Sequence, residues 1–198
     1  MTNEHILGLD FGKVIIGAVK GGKADTSFLG STFERAMATP PTDGAFEAVA
    51  RLVDAFEGRV WIISKCGESV QNKTLGWLSR WGFYASTGLM KGNVRFCRKR
   101  HEKAPICRQL GITHFVDDRL DVLRPMLGVV PNLFLFGEQA EATCPSWAVA
   151  VPDWPATVEA VLGAGRSKQD DEVASAVARP RGRALGPSDA MSEDGCPP

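Results

Sequence analysis

Three carboxylates come directly after short apolar runs of the sequence, a position from which they could act together on a bound cation. Asp10 follows the run ILGL, and the pair Asp117 and Asp118 follows THFV. Ser64 is the last residue of a third run, RVWIIS. Carboxylate oxygens are the ligands of hard divalent cations, and a cation held in this way also binds phosphate oxygens. These residues therefore predict a Mg²⁺ site that also holds a phosphate group, if the fold brings the runs together.

A lysine near these acids supplies the second positive charge that such a site needs. Lys103 stands at the head of a predicted helix, residues 101–110, which precedes the acidic run. An ammonium group beside carboxylates and a bound cation helps to hold a phosphate group. Lys103 is therefore the candidate ammonium group.

The apolar runs alternate with segments that carry the periodicity of amphipathic helices. Strands are predicted at residues 5–9, 59–64, 94–97, 113–118, 132–136 and 146–151. Helices are predicted at residues 45–56, 69–81, 101–110, 120–127 and 155–162. This alternation indicates an α/β fold with a mostly parallel sheet and helices on both faces. Ligands of such sheets bind at the carboxyl ends of the strands, so Asp10, Ser64 and the acidic pair converge if their strands are neighbours.

Length and composition predict the domain organisation. The chain has 198 residues, enough for one domain with a substantial core and too few for a second full domain. We expect the core to comprise residues 1–164, with a small flap or loop insertion at residues 14–43 that begins with a hairpin or flap at Val14–Val19. Residues 165–198 have mixed charges, prolines and glycines with few large apolar side chains, which predicts a disordered tail.

Charge and cysteine content exclude several classes of protein. The 23 basic residues balance 23 acidic ones, so neither nucleic acid nor an anionic membrane is expected as a partner of the whole chain. The five cysteines form no C-x-x-C pair, which argues against a disulfide framework or a zinc ribbon and agrees with a reducing cytoplasm. The sequence shows neither a signal-peptide pattern nor a segment of membrane-spanning length, so we expect a soluble cytoplasmic protein.

Four segments, in order, resemble the four motifs of the haloacid dehalogenase superfamily of phosphohydrolases. They are LGLDFGKVI, VWIISK, the lysine-containing KAPICRQLGI and THFVDDRLDVL, and the resemblance covers roughly residues 5–125. The stretch FVDDR behind a helix headed by lysine is the most specific part of the pattern. The resemblance implies a Rossmann-like core of the minimally capped type, because the interval between Asp10 and Ser64 is too short for a large cap domain.

The resemblance also implies a role for each residue. Asp10 would attack phosphorus and form an aspartyl-phosphate, and Ser64 would hydrogen-bond the transferring phosphoryl group. Lys103 would neutralise charge on the nucleophile and the phosphate. Asp118, with Asp117 beside it, would hold Mg²⁺ together with Asp10. The implied partner is a small or medium-sized phosphorylated substrate.

Two features depart from the pattern of the family. The position two residues after the nucleophile is Gly12, whereas the family's phosphatases have an aspartate there that serves as general acid and base. The carbonyl oxygen of Gly12 can still bind Mg²⁺, but the proton must come from another residue or from water, and His101 and His114 are the titrating candidates. Lys103 lies closer to the acidic pair than is usual in the family, and Lys91 is its substitute.

Three functions remain open from the sequence. The first is a Mg²⁺-dependent phosphohydrolase weakened by Gly12, and the second is a non-catalytic protein of the same fold that binds a metal or a phosphorylated ligand. The third belongs to a different class. LGLDFGKVIIGAVK also resembles the first strand and hairpin of ribonuclease H-like folds, in which an aspartate at this position binds metal for phosphodiester cleavage.

Overall fold

The structure is a computed structural model that describes residues 5–17, 28, 32–139 and 144–164. Six strands of these residues form one sheet: β1 Leu7–Leu9, β2 Val60–Lys65, β3 Val94–Cys97, β4 His114–Asp117, β5 Asn132–Phe136 and β6 Val149–Val151. All neighbouring strands are parallel, in the order β3-β2-β1-β4-β5-β6. The predicted α/β fold with a mostly parallel, Rossmann-like sheet is confirmed.

Helices connect the strands along most of the described chain. They are α1 Phe33–Met37, α2 Ala45–Ala55, α3 Glu68–Arg80, α4 Phe83–Thr87, α5 Lys103–Leu110, α6 Leu120–Leu123 and α7, residues 154–164. Short 3₁₀ turns at Arg100–Glu102 and Arg124–Met126 precede α5 and follow α6. The five helices predicted from periodicity are all present. The one predicted at residues 120–127 is α6 followed by a 3₁₀ turn.

Both faces of the sheet are covered, because successive strand side chains point in opposite directions. On β5, Phe134 belongs to one hydrophobic cluster and Leu135 to another. The first cluster contains residues of α2, α3 and α7, among them Trp77, and the second contains residues of α5 and α6, among them Cys107. The helices therefore lie on both faces, as the sequence predicts.

Strand β1 occupies the position that matters for function. The chain passes from β1 through β2 to the edge strand β3 and then returns, so that β4 lies on the other side of β1. In open parallel sheets a crevice forms at this reversal of strand order, outside the carboxyl ends of the strands. The residues that follow β1 and β4 therefore face each other across the crevice.

Residues 14–17 of the hairpin or flap predicted at Val14–Val19 are described by the structure, and residues 18 and 19 lie outside the described residues. Residues 13–15 form a tight turn, closed by hydrogen bonds from the N–H groups of Ile15 and Ile16 to the carbonyl oxygen of Phe11 at 3.0 and 3.1 Å. The side chains of Val14, Ile15 and Ile16 are buried in the core. Three consecutive apolar residues resemble a strand in sequence, but here the demand for burial is met by a compact loop.

Two short helices, α1 and α4, were not predicted. Each has only five residues, which is too few to show helical periodicity. Parts of other predictions fall on residues 18–27 and 29–31 of the insertion and on the tail, residues 165–198, which lie outside the described residues. Across the helices that are described, none combines the length and the hydropathy needed to cross a bilayer.

Replacing Gly8 should test how tightly the central strand is packed. A Cβ atom at this position would lie 2.5 Å from Cδ2 of Phe115, a fully buried ring, so Gly8→Ala forces the core to shift. We expect the free energy of unfolding, measured by urea denaturation, to fall by about 1–3 kcal/mol, the usual cost of overpacking. Gly92→Ala is the matched control, because a Cβ atom there meets nothing within 4 Å. Equal stability of the two variants would contradict the described packing.

Candidate active site

Asp10 and Asp117 lie side by side at the carboxyl edge of the sheet. Leu9 pairs with Val116 in the register of β1 and β4, and the N–H group of Asp10 donates to the carbonyl oxygen of Val116 at 2.9 Å. Asp10 is the first residue after β1, and Asp117 is the last residue of β4. The strand pairing thus brings together two acids that are 107 positions apart in the sequence.

Lys103 joins these two carboxylates. Its ammonium nitrogen Nζ lies 2.9 Å from Oδ1 of Asp10 and 2.8 Å from Oδ2 of Asp117, and its side chain is 1% exposed. Burial alone would lower the pKa of Lys103, but the charges of Asp10 and Asp117 outweigh burial and raise it above its ordinary value. The ammonium group is therefore charged and positioned by two acids.

Negative charge at the site exceeds what the lysines neutralise. Burial, followed by the charge of Asp10, raises the pKa of both Asp117 and Asp118 above the ordinary value. Lys103 and Lys13 face the three acids, and Nζ of Lys13 lies 3.6 Å from Oδ2 of Asp118. A site with three carboxylates and two ammonium groups favours the binding of an additional cation.

The donor set matches the requirements of Mg²⁺. One carboxylate oxygen from each of Asp10, Asp117 and Asp118 lies within 4.8 Å of the other two, and all are hard oxygen donors. Both oxygens of Asp117 accept hydrogen bonds, from Lys103 at 2.8 Å and from the N–H group of Arg119 at 3.1 Å. Within the described residues, Oδ2 of Asp10 and Oδ1 of Asp118 accept none. Asp10 and Asp118 therefore have the freer ligand atoms, while Asp117 chiefly holds Lys103.

Lys13 is a residue of the site that the sequence did not reveal. Its backbone has a φ of 59°, in the left-handed region that residues other than glycine rarely adopt, and its N–H group donates to the carbonyl oxygen of Ile16 at 2.6 Å. This turn directs its ammonium group toward Asp118. Backbone strain of this kind concentrates at functional sites. A lysine directly after Gly12 was the available signal, but its conformation depends on the folded loop.

Ser64 and Gly12 also lie at this edge of the sheet. Ile62 pairs with Leu9, so Ser64, two residues later on β2, lies beside the residues that follow β1. The Ser64 side chain is buried, and burial raises the pKa of the Cys66 thiol two residues later. A Cβ atom at Gly12 would meet nothing within 4 Å, so this position has open space beside Asp10.

The other candidate residues are placed differently by the fold. Lys91 precedes β3 and therefore lies near the amino edge of the parallel sheet, where its Nζ lies 5.9 Å from the centre of the Tyr84 ring. His114 begins β4 opposite Leu7, also toward the amino edge, and its ring contacts Thr113 at 2.8 Å. His101 is exposed in the turn just before Lys103. Of the two lysines considered, Lys103 is the one that contacts Asp10.

Comparison with known proteins provides structural relatives only. No protein-family model matches the chain, and no curated protein matches it. A crystal structure of a haloacid dehalogenase-like family hydrolase from Xanthomonas campestris superposes with a TM-score of 0.53 and 14% identity, covering 82% of this chain and 98% of that one. This chain has the haloacid dehalogenase-like fold.

A second structure with the haloacid dehalogenase-like fold gives the same result. It is a putative haloacid dehalogenase-like hydrolase from Burkholderia xenovorans, with a TM-score of 0.50 and 14% identity, covering 78% of this chain and 96% of that one. The low identity means that the likeness establishes the fold, and that the chemistry must be inferred from the site. The resemblance of the four sequence segments to this superfamily is thus confirmed at the level of the fold.

Removing the ammonium group of Lys103 should destabilise the protein. Lys103→Met leaves Asp10 and Asp117 adjacent and uncompensated, and we expect the free energy of unfolding to fall by about 3–5 kcal/mol, as for other broken buried ion pairs. Adding Asp117→Asn to Lys103→Met removes one of the two acids and should recover part of that loss. Urea denaturation of the three proteins measures both effects. A loss below about 1 kcal/mol, the range of exposed pairs, would show that the buried ion pair is not formed.

Substituting Lys13 should separate backbone strain from charge. Lys13→Gly and Lys13→Ala both remove the ammonium group, but only glycine adopts a φ of 59° without steric cost. We expect Lys13→Gly to be more stable than Lys13→Ala by about 1 kcal/mol in urea denaturation. Glu57, which has a φ of 52°, provides the matched comparison of glycine with alanine away from the site. If the alanine variant of Lys13 were the more stable, the left-handed turn would be absent.

Proposed function

We propose that this protein is a Mg²⁺-dependent phosphohydrolase that acts on phosphomonoesters through an aspartyl-phosphate on Asp10. The observation that carries the proposal is the buried ammonium group of Lys103, held between Asp10 and Asp117 at the carboxyl edge of the sheet. This arrangement positions a charged lysine against the oxygen atoms on which phosphoryl charge would develop. The haloacid dehalogenase-like fold supports the same class of enzyme.

The proposed first step is attack of Asp10 on the phosphorus atom. Oδ1 of Asp10 is already bound by Lys103 and by the N–H group of Phe11 at 2.8 Å, so Oδ2 is the oxygen that attacks. The P–O bond to the leaving group breaks as the bond to Asp10 forms. Lys103 neutralises charge on Asp10 and on the phosphoryl oxygens, and Ser64 donates a hydrogen bond to them. Mg²⁺, held by Asp10, Asp118 and the carbonyl oxygen of Gly12, would supply further neutralisation of this charge.

In the second step, water attacks the aspartyl-phosphate and releases inorganic phosphate and free Asp10. Gly12 has no side chain that could donate a proton to the leaving group or accept one from this water. His114 begins β4, toward the opposite edge of the sheet, and His101 is exposed. We therefore infer that the leaving group departs without protonation by a residue at position 12. The enzyme should then favour esters whose leaving groups are weak bases.

The main alternative is a protein of the same fold that binds a phosphorylated ligand without turnover. Gly12 motivates this alternative, because a general acid typically contributes about 10²–10⁴-fold to the rate. The ribonuclease H-like alternative has less support. It requires β1 to continue into a hairpin, whereas residues 13–15 form a tight turn and every described strand is parallel to its neighbours.

Asp10→Asn tests the proposed function directly. The wild type should release phosphate from a panel of small phosphomonoesters only with Mg²⁺, and the variant should be at least about 10³-fold slower because an amide is a poor nucleophile. Asp43→Asn, an exposed acid just before α2, is the matched control and should retain activity. If the wild type and Asp10→Asn are equally inert, while Mg²⁺ still raises the melting temperature of the wild type, the binding protein is the correct assignment.

Restoring a carboxylate at position 12 should change the leaving-group preference. The open space at Gly12 admits an aspartate, and Gly12→Asp should raise the rate with phenyl phosphate more than the rate with 4-nitrophenyl phosphate, whose leaving group needs less help from an acid. Gly12→Asn, of the same shape without the acid, is the control. A uniform change for both substrates, or the same change in both variants, would show that proton donation does not limit the wild-type enzyme.

A further inference from the structure

Positive charge without a protein partner collects on one side of the candidate active site. Lys65 is the last residue of β2, and Arg98 and Lys99 directly follow β3. All three are exposed, and within the described part of the chain none of their side chains forms an ion pair. We refer to Lys65, Arg98 and Lys99 as the basic rim.

Other cations at the same edge of the sheet are neutralised by nearby acids. Arg119 makes a bidentate ion pair with Asp121 at 2.8 and 3.1 Å, and Arg100 lies 3.6 Å from the same carboxylate. Lys13 lies 3.6 Å from Asp118. Of these described cations, those without an ion pair therefore lie at the ends of β2 and β3.

The backbone of the basic rim is held in place. Oε2 of Glu102 accepts hydrogen bonds from the N–H groups of Arg98 and Lys99, at 2.9 and 3.0 Å. These two backbone bonds lower the pKa of Glu102 and tie the loop to the turn that leads into Lys103. The rim is thus connected through one short turn to the ammonium group that contacts Asp10.

The side chain of Arg98 extends toward the neighbouring strand. Its Nη1 atom lies 3.6 Å from the position that a Cβ atom of Gly67 would occupy. Lys65 pairs with Cys97 in the register of β2 and β3, so Arg98 follows the residue next to Lys65. Burial raises the pKa of the Cys66 thiol, and the charge of Asp10 raises it further. The charges of Lys65 and Arg98 lower the same pKa, so Asp10, Lys65 and Arg98 all act on this thiol beside the site.

The distances between the strand ends suit a second anion beyond a phosphate group bound at Asp10. Adjacent strands lie about 4.8 Å apart, so the ends of β2 and β3 lie roughly 5 and 10 Å from the end of β1. A phosphate group bound at Asp10 would leave the basic rim free. The rim would then face a group about 5–10 Å further along the substrate, the distance at which a second phosphate stands in a small bisphosphorylated molecule.

We propose that the basic rim binds a second phosphate group, so that the preferred substrates are small molecules carrying two phosphates. This proposal rests on the proposed phosphohydrolase activity, to which it adds the substrate class. Guanidinium and ammonium groups are the side chains that bind phosphate most strongly, and the three positive charges of the rim exceed the two negative charges of one phosphate dianion. Three cations on a chain of zero net charge are too few for a long polyanion.

A binding experiment tests the basic rim without requiring turnover. Calorimetry with Mg²⁺ and the full-length Asp10→Asn chain would compare adenosine 3′,5′-bisphosphate with 5′-AMP, and fructose 1,6-bisphosphate with fructose 6-phosphate. Each bisphosphate should bind about tenfold more tightly than its monophosphate, the effect of one good charge-assisted contact. Adding Arg98→Ala and Lys99→Ala should abolish this advantage. Adding Arg51→Ala, an exposed residue of α2, should leave it intact.

The outcomes distinguish phosphate binding at the basic rim from the proposed phosphohydrolase activity. Equal binding of both members of each pair, or an advantage that survives the loss of Arg98 and Lys99, would overturn the proposal. Much tighter binding of a 5′-phosphorylated oligonucleotide than of either bisphosphate would overturn the assignment to small molecules. A bisphosphate advantage that depends on Arg98 and Lys99, in a protein whose wild type releases no phosphate, would uphold the rim and reject the hydrolase.

Discussion

The contact of the buried Lys103 ammonium group with Asp10 and Asp117 is the interaction on which the rest of the site depends. It requires β1 and β4 to be neighbours, α5 to begin at the residue that reaches both acids, and the preceding turn to be held by Glu102. Buried ion pairs contribute little to stability compared with apolar residues of the same size. The proposed chemistry on an anionic substrate therefore accounts for this arrangement better than stability does.

The charges around this contact are arranged in two zones. Close to Asp10, three carboxylates exceed two ammonium groups, which favours a metal cation. Farther out, at the ends of β2 and β3, the side chains of Lys65, Arg98 and Lys99 form no ion pair with a described residue. With the proposed metal ion beside Asp10 and the cations beyond it, the site would suit a substrate with negative charge at both ends. Such a site has many charged groups, but Gly12 provides no side-chain acid at position 12.

The strands and the convergence of the acids could be predicted, because buried parallel strands are short apolar runs and their ends are marked by polar residues such as Asp10 and Asp117. Periodicity predicted the helix at residues 101–110 with Lys103 near its head, whereas Arg100–Glu102 form a 3₁₀ turn and α5 begins at Lys103. The turn at Lys13 could not be predicted, because its left-handed backbone is imposed by packing of the following apolar residues. Arg98, Lys99 and Arg100 are consecutive in the sequence, but only the structure shows that Arg100 lies 3.6 Å from Asp121 while Arg98 and Lys99 form no ion pair with a described residue.

The most direct test of the central claim is a crystal structure of the protein with Mg²⁺ and beryllium trifluoride, which mimics a phosphoryl group on a carboxylate. We expect density for the beryllium trifluoride group continuous with Oδ2 of Asp10, Nζ of Lys103 in contact with the same group, and a Mg²⁺ ion held by Asp10 and Asp118. Beryllium trifluoride bound elsewhere, or Mg²⁺ bound without either of these two acids, would contradict the proposed role of Asp10.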